Sequence, residues 1–301
     1  MTNNLKTKSG FVAIVGRPNV GKSTLLNTII GEKVAITSNK PQTTRHRISG
    51  IYTKDNSQIV FIDTPGMHKA KDLLNKRIDK LAVSVLKEVD AILFIVDKPF
   101  GLAESHIVSY FENIKVPVYL VINKIDEINY NKVKIDEMIL SYISKYNFDG
   151  VYPISAINNE NINHLLNDLL NSLSEGPFYY PKESISDQSE TTTMSEFIRE
   201  KILIHTEEEV PHAVAVAIEN LEYNEEYKTL DVSAIIYVER NSQKKILIGK
   251  NGDKLKTIGT EARIDINNKF NTKTHLTLWV KVKKDWRNQI SDLNRFGYGN
   301  E

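Results

Sequence analysis

The sequence predicts an α/β domain, with a mostly parallel sheet and helices on both faces, followed by a smaller α+β domain. Three observations carry this. Over the first ~170 residues, apolar runs of strand length alternate with helical stretches. A polar segment with two prolines and a glycine then breaks the rhythm. Beyond it, runs alternate apolar and polar residues, the mark of antiparallel strands with one covered face. At 301 residues, 41% of them hydrophobic, the chain can bury two modest cores.

Taken in order, "GFVAIVG" (10–16) is a buried strand leading into the helical "KSTLLNTIIG" (22–31). "QIVFIDTPG" (58–66), "AILFIVD" (91–97) and "PVYLVINK" (117–124) repeat the form: continuous apolar strands that end in polar residues. Ligands of such sheets sit beyond the carboxyl ends of the strands, where those polar residues gather. "NNENINHLLNDLLNSL" (158–173) closes the domain as a helix, giving bounds of 1–175, a linker at 176–193 and a second domain at 194–301. There, "MSEFIREKILIHTEEE" (194–209) is expected to be helical. "HAVAVAIENLEYN" (212–224) and "TLDVSAIIYVER" (229–240) form an antiparallel pair. A lysine-glycine loop, a helix over 253–270 and a strand within 275–286 complete the unit. No repeat of 20–50 residues is visible.

The formal net charge of +1 hides an asymmetry. Residues 190–240 hold 12 acidic against 4 basic side chains, while 241–301 hold 6 against 13. A net −8 beside a net +7 bears on partners even though the total is near zero. There is no cysteine, which excludes disulfides, thiolate metal sites and a cysteine nucleophile. "MTNNLKTKSG" lacks a signal-peptide core, and no apolar run approaches a membrane span, so a soluble cytoplasmic protein is expected.

Chemistry concentrates in four short motifs. "GRPNVGKS" (16–23) satisfies G-x-x-x-x-G-K-[ST] after a buried strand and at the start of a helix. In such a loop Gly16 and Gly21 let backbone amides of the stretch Gly16, Arg17, Pro18, Asn19, Val20 and Gly21 face a phosphate, with Pro18 shaping the loop but having no N–H to donate. Lys22 reaches the β- and γ-phosphates, Ser23 is placed for Mg²⁺, and Thr24 continues the helix N-terminus. "DTPG" (Asp63, Thr64, Pro65, Gly66) ends the next long strand: Asp63 suits Mg²⁺, through a water, and the Gly66 amide suits a γ-phosphate. In "NKID" (123–126), Asp126 can accept from both the N1–H and N2–H₂ groups of guanine. Asn123 is assigned the acceptor edge of the base, and the Lys124 stem its face. Adenine reverses the donor pattern and would leave the carboxylate unpaired. Ser155 and Ala156, after "GVYPI", offer a backbone amide to the guanine oxygen. The four motifs in this order, each after a strand, predict binding of GTP and GDP with GTP hydrolysis.

These stretches, with "QTTRHRI" (42–48), "FIREKIL" (197–203), "EEVPHAVAVAIE" (208–219), "ILIGKNG" (246–252) and "VKVKKDWRNQISDLNRFGYG" (280–299), resemble the Era family of bacterial GTPases over essentially the whole chain. The resemblance implies a phosphate-loop GTPase domain followed by a type II KH domain. It implies binding to the 3′ end of 16S ribosomal RNA during assembly of the small ribosomal subunit. It further implies that the Thr44 hydroxyl joins Mg²⁺ in the GTP state, so that Lys22, Thr44 and Gly66 serve hydrolysis. Similar GTPases with an asparagine at the position of Asn19 use K⁺ to neutralise charge. A monomer is expected, with peripheral contact at the inner face of the cell membrane left open.

"GKNG" (249–252) lacks the lysine-serine pair of a nucleotide loop and instead matches a KH clamp. Its glycines let a sugar-phosphate chain approach closely. Lys245, Ile248, Gly249, Lys250, Asn251, Gly252 and Lys254 are the candidate RNA contacts, within the +7 region. The glutamine that many GTPases carry after D-x-x-G is replaced by Met67, whose thioether cannot orient a water, so positioning must come from elsewhere. His68, next in the chain, is either a candidate by proximity or an exposed loop histidine without a role. Arg45 and Arg47 read as exposed switch charges rather than an arginine finger. Two other readings stand beside this one: an RNA-binding GTPase acting on another RNA such as tRNA, and an RNA-binding module with a decayed nucleotide site. The intact Lys22, Ser23, Asp63 and Asp126 weigh against decay.

Overall fold

The structure, a computed structural model, describes residues 6–40, 43–66 and 72–298. The chain divides after Asp187 into two compact units.

The first unit runs β1 (Lys8–Val15), α1 (Lys22–Ile30), β2 (Ile48–Lys54), β3 (Ser57–Asp63), α2 (Leu73–Val85), β4 (Ala91–Val96), α3 (Leu102–Val108), β5 (Val118–Ile122), α4 (Lys132–Ile143), β6 (Gly150–Pro153) and α5 (Ile162–Ser172). Its sheet has the order β2-β3-β1-β4-β5-β6, parallel except for the antiparallel edge pair β2-β3. Strand side chains point alternately to the two faces. Val12, Ile14, Leu93 and Ile95 therefore pack one core with Leu25, Leu26 and Ile29 of α1 and Leu165, Leu166 and Leu169 of α5. Ala13, Val15, Ile92, Phe94 and Val96 pack another with Ala82 of α2, Ile107 of α3 and Tyr142 of α4. Both faces are covered, which is why these strands read as continuous apolar runs. The strand β2 is absent from the sequence reading; "ISGIYTK" is an edge strand with polar residues at its end, a weak signal by itself.

The segment after α5 is strapped to this unit as far as Asp187. Ile51 N–H donates to the Ile185 carbonyl at 2.9 Å. Gln58, fully buried on β3, accepts from Tyr179 N (2.9 Å) and Tyr180 N (3.0 Å). Its amide nitrogen donates back to the Tyr180 carbonyl at 3.0 Å. One side chain thus satisfies three backbone groups of a stretch that has no secondary structure of its own.

The second unit runs α6 (Glu190–His205), α7 (Val210–Ala213), β7 (Ala215–Asn224), β8 (Thr229–Val238), α8 (Asn241–Ile248), α9 (Asp253–Phe270), β9 (Lys273–Val282) and α10 (Ile290–Arg295). Its three strands lie in the order β7-β8-β9, with β7 antiparallel and β9 parallel to β8. Ile198 and Ile202 of α6, Leu247 of α8 and Ile258 and Ala262 of α9 cover one face of that sheet. Two boundaries differ from expectation. The first helix spans 190–205 rather than 194–209, because the Ser189 hydroxyl caps it by accepting from Thr192 N at 3.2 Å. Strand β7 begins at Ala215 rather than His212, because Pro211 opens a helical turn ahead of it. Near the C-terminus Trp286 is fully buried, its indole N–H donating to the Ala213 carbonyl at 3.0 Å. Among the described residues, no helix is long and apolar enough to cross a membrane.

Gln58→Leu keeps the volume but leaves the amides of Tyr179 and Tyr180 and the carbonyl of Tyr180 without their partner. The expected cost is about 2–3 kcal/mol, read by urea unfolding, together with faster proteolysis within 177–187. An unchanged midpoint and cleavage rate would mean that Gln58 does not hold the strap.

Candidate nucleotide and RNA sites

Four motif loops converge at the carboxyl ends of β1, β3, β5 and β6, all within the first unit. The loop from β1 into α1 needs glycine at Gly21: φ is +96°, and a Cβ there would collide with the Asn123 side chain. Lys22 opens α1 and is buried, its ammonium donating to the carbonyls of Gly16 (3.1 Å) and Arg17 (2.8 Å). Burial lowers its pKa to about 8, against the pull of Asp63 and Asp97. An anion beside Nζ would raise it again and hold the charged form more firmly, as a phosphate-binding lysine requires.

The three predicted Mg²⁺ groups come together. Ser23 Oγ donates to Asp63 Oδ2 at 2.6 Å, Thr44 Oγ1 does so at 3.2 Å, and the two hydroxyls are 3.0 Å apart. Asp63 is fully buried, and burial pushes its carboxyl upward against the opposing effects of Lys22, Ser23 and Thr44. Its Oδ1 is buried without a hydrogen-bond partner. A hydroxyl-hydroxyl-carboxylate set with an orphaned carboxylate oxygen suits a hard divalent cation that takes its other ligands from water and phosphate. Thr64 locks the motif in place, its hydroxyl donating to the Ile14 carbonyl of β1 at 2.8 Å. Gly66 lies against Pro18, whose backbone nitrogen would be 2.7 Å from a Cβ at this position.

The base-reading loop departs from expectation in one respect. Asn123 is assigned the acceptor edge of guanine and Ala156 the guanine oxygen, yet the two bond each other. Asn123 Oδ1 accepts from Ala156 N at 3.0 Å, and its Nδ2 donates to the Val20 carbonyl at 2.8 Å. Being buried, Asn123 is a bracket tying the phosphate loop to the Ser155–Ala156 turn. Ser155 is likewise structural, its hydroxyl donating to Asp126 Oδ1 at 2.5 Å and so orienting the carboxylate. Asp126 itself stays partly exposed. Lys124, at φ +64°, sets its ammonium 2.9 Å from Asp97, a residue outside the sequence motifs.

Arg45 also differs: it is 2% exposed rather than an exposed switch charge, whereas Arg47 is exposed as expected, 3.7 Å from Glu88. Asn19 adopts φ +65° inside the phosphate loop. Met67 and His68 lie outside the described residues.

In the second unit, α8 ends at Ile248 and α9 begins at Asp253, with GKNG as the tight turn between. Gly249 (φ +75°) and Gly252 (φ +86°) need the left-handed region, and Asn251 shares it at +54°. A Cβ on Gly249 would be 2.8 Å from the Lys254 Cβ, so the turn has no room for one. Lys245, Lys250 and Asn251 are exposed, while Ile248 and Lys254 are half-buried beside them. Backbone amides at the start of an 18-residue helix add partial positive charge where those lysines project.

Residues 11–124 match the family described as a 50S ribosome-binding GTPase, and residues 209–287 match the KH domain. GTPase Era of Clostridioides difficile (strain 630) is 47% identical over 296 residues, covering 98% of this chain and 99% of that protein. A variant of Era from Aquifex aeolicus, solved with GDP and AlF₄⁻, superposes with a TM-score of 0.94 at 37% identity, over 98% of this chain and all of that one. Era in complex with MgGDPNP and nucleotides 1506–1542 of 16S ribosomal RNA matches to the same degree, again at 37% identity and 98% coverage of this chain.

The two roles at the base-reading loop separate by measurement. Asn123→Ala leaves a buried carbonyl and a buried N–H unpaired, so it should lower unfolding stability by about 2–4 kcal/mol and nucleotide affinity together. Asp126→Asn, at a partly exposed position, should leave the melting temperature nearly unchanged while shifting preference from guanine toward xanthine nucleotides. Equal melting temperatures for the two variants would remove the bracket role of Asn123.

Proposed function

Because the chain belongs to the Era family of GTPases, we propose that it hydrolyses GTP under Mg²⁺ and binds the 3′ end of 16S ribosomal RNA through its KH domain, assisting assembly of the small ribosomal subunit. The single observation that supports the catalytic half best is the convergence of Ser23 and Thr44 on the buried Asp63, beside Lys22. In the reaction a water oxygen adds to the γ-phosphorus as the bond to the β-bridging oxygen breaks, and negative charge grows on the phosphate oxygens. Mg²⁺, when bound, supplies charge neutralisation between the β- and γ-phosphates. In this reading Lys22, held at the loop carbonyls, turns its ammonium to the same oxygens. Thr44 and Gly66 meet the γ-phosphate with a hydroxyl and a backbone amide. Asp126, oriented by Ser155, accepts from the guanine donors.

Asn19 takes the K⁺ role in this reading. Exchanging K⁺ for Na⁺ should slow hydrolysis several-fold at unchanged nucleotide affinity, and equal rates in the two salts would withdraw Asn19 from the mechanism.

The RNA half rests on GKNG, whose left-handed turn and exposed lysines suit a phosphate backbone. Replacing Lys250 and Asn251 by aspartates should cut affinity for an RNA carrying the 16S 3′ end at least tenfold and flatten its salt dependence. Basal GTP hydrolysis should stay near normal. Filter binding across a salt series is the test; unchanged affinity would make the loop a mere capping turn. A cytoplasmic monomer accords with this reading.

A further inference from the structure

Asp97 is not part of any nucleotide motif, yet it pairs with a cation from each of two of them. Its Oδ1 is 3.0 Å from Arg17 Nη2 of the phosphate loop, and its Oδ2 is 2.9 Å from Lys124 Nζ of the base-reading loop. We propose that Asp97 is a positioning residue for guanine-nucleotide binding: it anchors the Lys124 ammonium so that the lysine stem is held as a fixed face for the base.

The sheet explains why this residue can do so. Strand β4 lies between β1, which feeds the phosphate loop, and β5, which feeds the base-reading loop. The residue just past its carboxyl end is therefore flanked by both loops. That end is held by the Asn123 N–H, which donates to the Val96 carbonyl at 2.7 Å, and by the buried Tyr142 hydroxyl, which donates to the Lys98 carbonyl at 2.7 Å. The Asp97 side chain is only 10% exposed, which strengthens both ion pairs relative to a surface pair. Arg17 has a second anchor in the buried Glu104. Among the described residues Lys124 has only the exposed Glu127 besides, at 3.7 Å, so of the two cations it depends more on Asp97. A flexible four-carbon stem covers a base well only when its end is fixed, since otherwise each binding event must immobilise it.

The sign of the effect separates positioning from simple electrostatics. Removing a negative charge beside a phosphate loop should tighten binding of an anionic nucleotide. Losing the anchor should weaken it. The inference rests on the guanine-nucleotide reading above, and affinities of the full-length protein for GDP and GTP keep the two apart.

D97N is expected to raise the Kd for GDP about tenfold and the KM for GTP in parallel, with kcat unchanged. D97E should recover most of the loss. K124M keeps the stem and removes only the anchored amine, so it should repeat the loss by itself and carries the test if D97N is poorly folded. In the K124M background, D97N should cost less than about threefold. Unchanged or tighter GDP binding by D97N would overturn the proposal. So would an undiminished tenfold loss in the K124M background, or a fall in kcat at constant KM. Failure of the wild-type protein to bind GDP, or competition by ATP as effective as by GTP, would overturn the underlying reading and this inference with it.

Discussion

The buried amide of Asn123 is the interaction on which the nucleotide site depends. Its two ends bond the phosphate loop at Val20 and the Ser155–Ala156 turn. Three loops arising from β1, β5 and β6 are thereby joined through one side chain. The phosphate loop must fold without a Cβ at Gly21 because that amide occupies the space. The position of Lys22, and the reach of Ser23 to Asp63, follow from where the loop ends and α1 begins. A buried amide with both ends satisfied resists replacement, since either isosteric change leaves a buried backbone group unpaired. The geometry of the three loops is thus coupled through a side chain that belongs to none of the phosphate contacts.

Strand order decides what else can join. In the sequence β2-β3-β1-β4-β5-β6, the carboxyl ends of β3, β1, β4 and β5 stand side by side and each delivers one group: Asp63, the phosphate loop, Asp97 and Asn123. Asp97 and Asp63 both act electrostatically on Lys22, the first across β1 from one side and the second from the other. Carboxylates on either side compensate for the cost of burying an ammonium without touching it, leaving its donors for carbonyls and phosphate.

Much of this was legible in the sequence, for physical reasons. Strands buried on both faces must be continuously apolar, so β1, β3, β4 and β5 stand out. The phosphate loop is dictated by backbone chemistry that few sequences satisfy, so its lysine and serine could be assigned by position. What the sequence hides is pairing. Asn123 and Ala156 each read as contacts to the base, and nothing in two separate motifs says that they satisfy one another. Arg45 reads as a surface charge because a lone arginine in a polar loop usually is one; its burial is a tertiary fact. Asp97 is visible only as a polar residue ending an apolar strand, and its meaning needs the order of strands. Gln58 and the strap it holds fall in the same class, since a loop rich in proline and polar residues reads as a linker whether or not a side chain 120 residues away fastens it.

The two glycine loops of the chain answer to one principle and differ in one respect. Both place left-handed glycines ahead of a helix, so that backbone amides and the helix N-terminus face an anion. In the first, Lys22 is buried and its ammonium is held by the carbonyls of its own loop. That suits a small ligand whose phosphates can be swallowed whole. In the second, Lys250 and Asn251 project into solvent on a turn packed too closely against Lys254 to admit a side chain at Gly249. A polymer backbone cannot be enclosed, only approached along its length, and an exposed rigid turn within a segment of net +7 is the form that allows it. Burial of the lysine, more than the glycine pattern, distinguishes a nucleotide cradle from a nucleic-acid clamp.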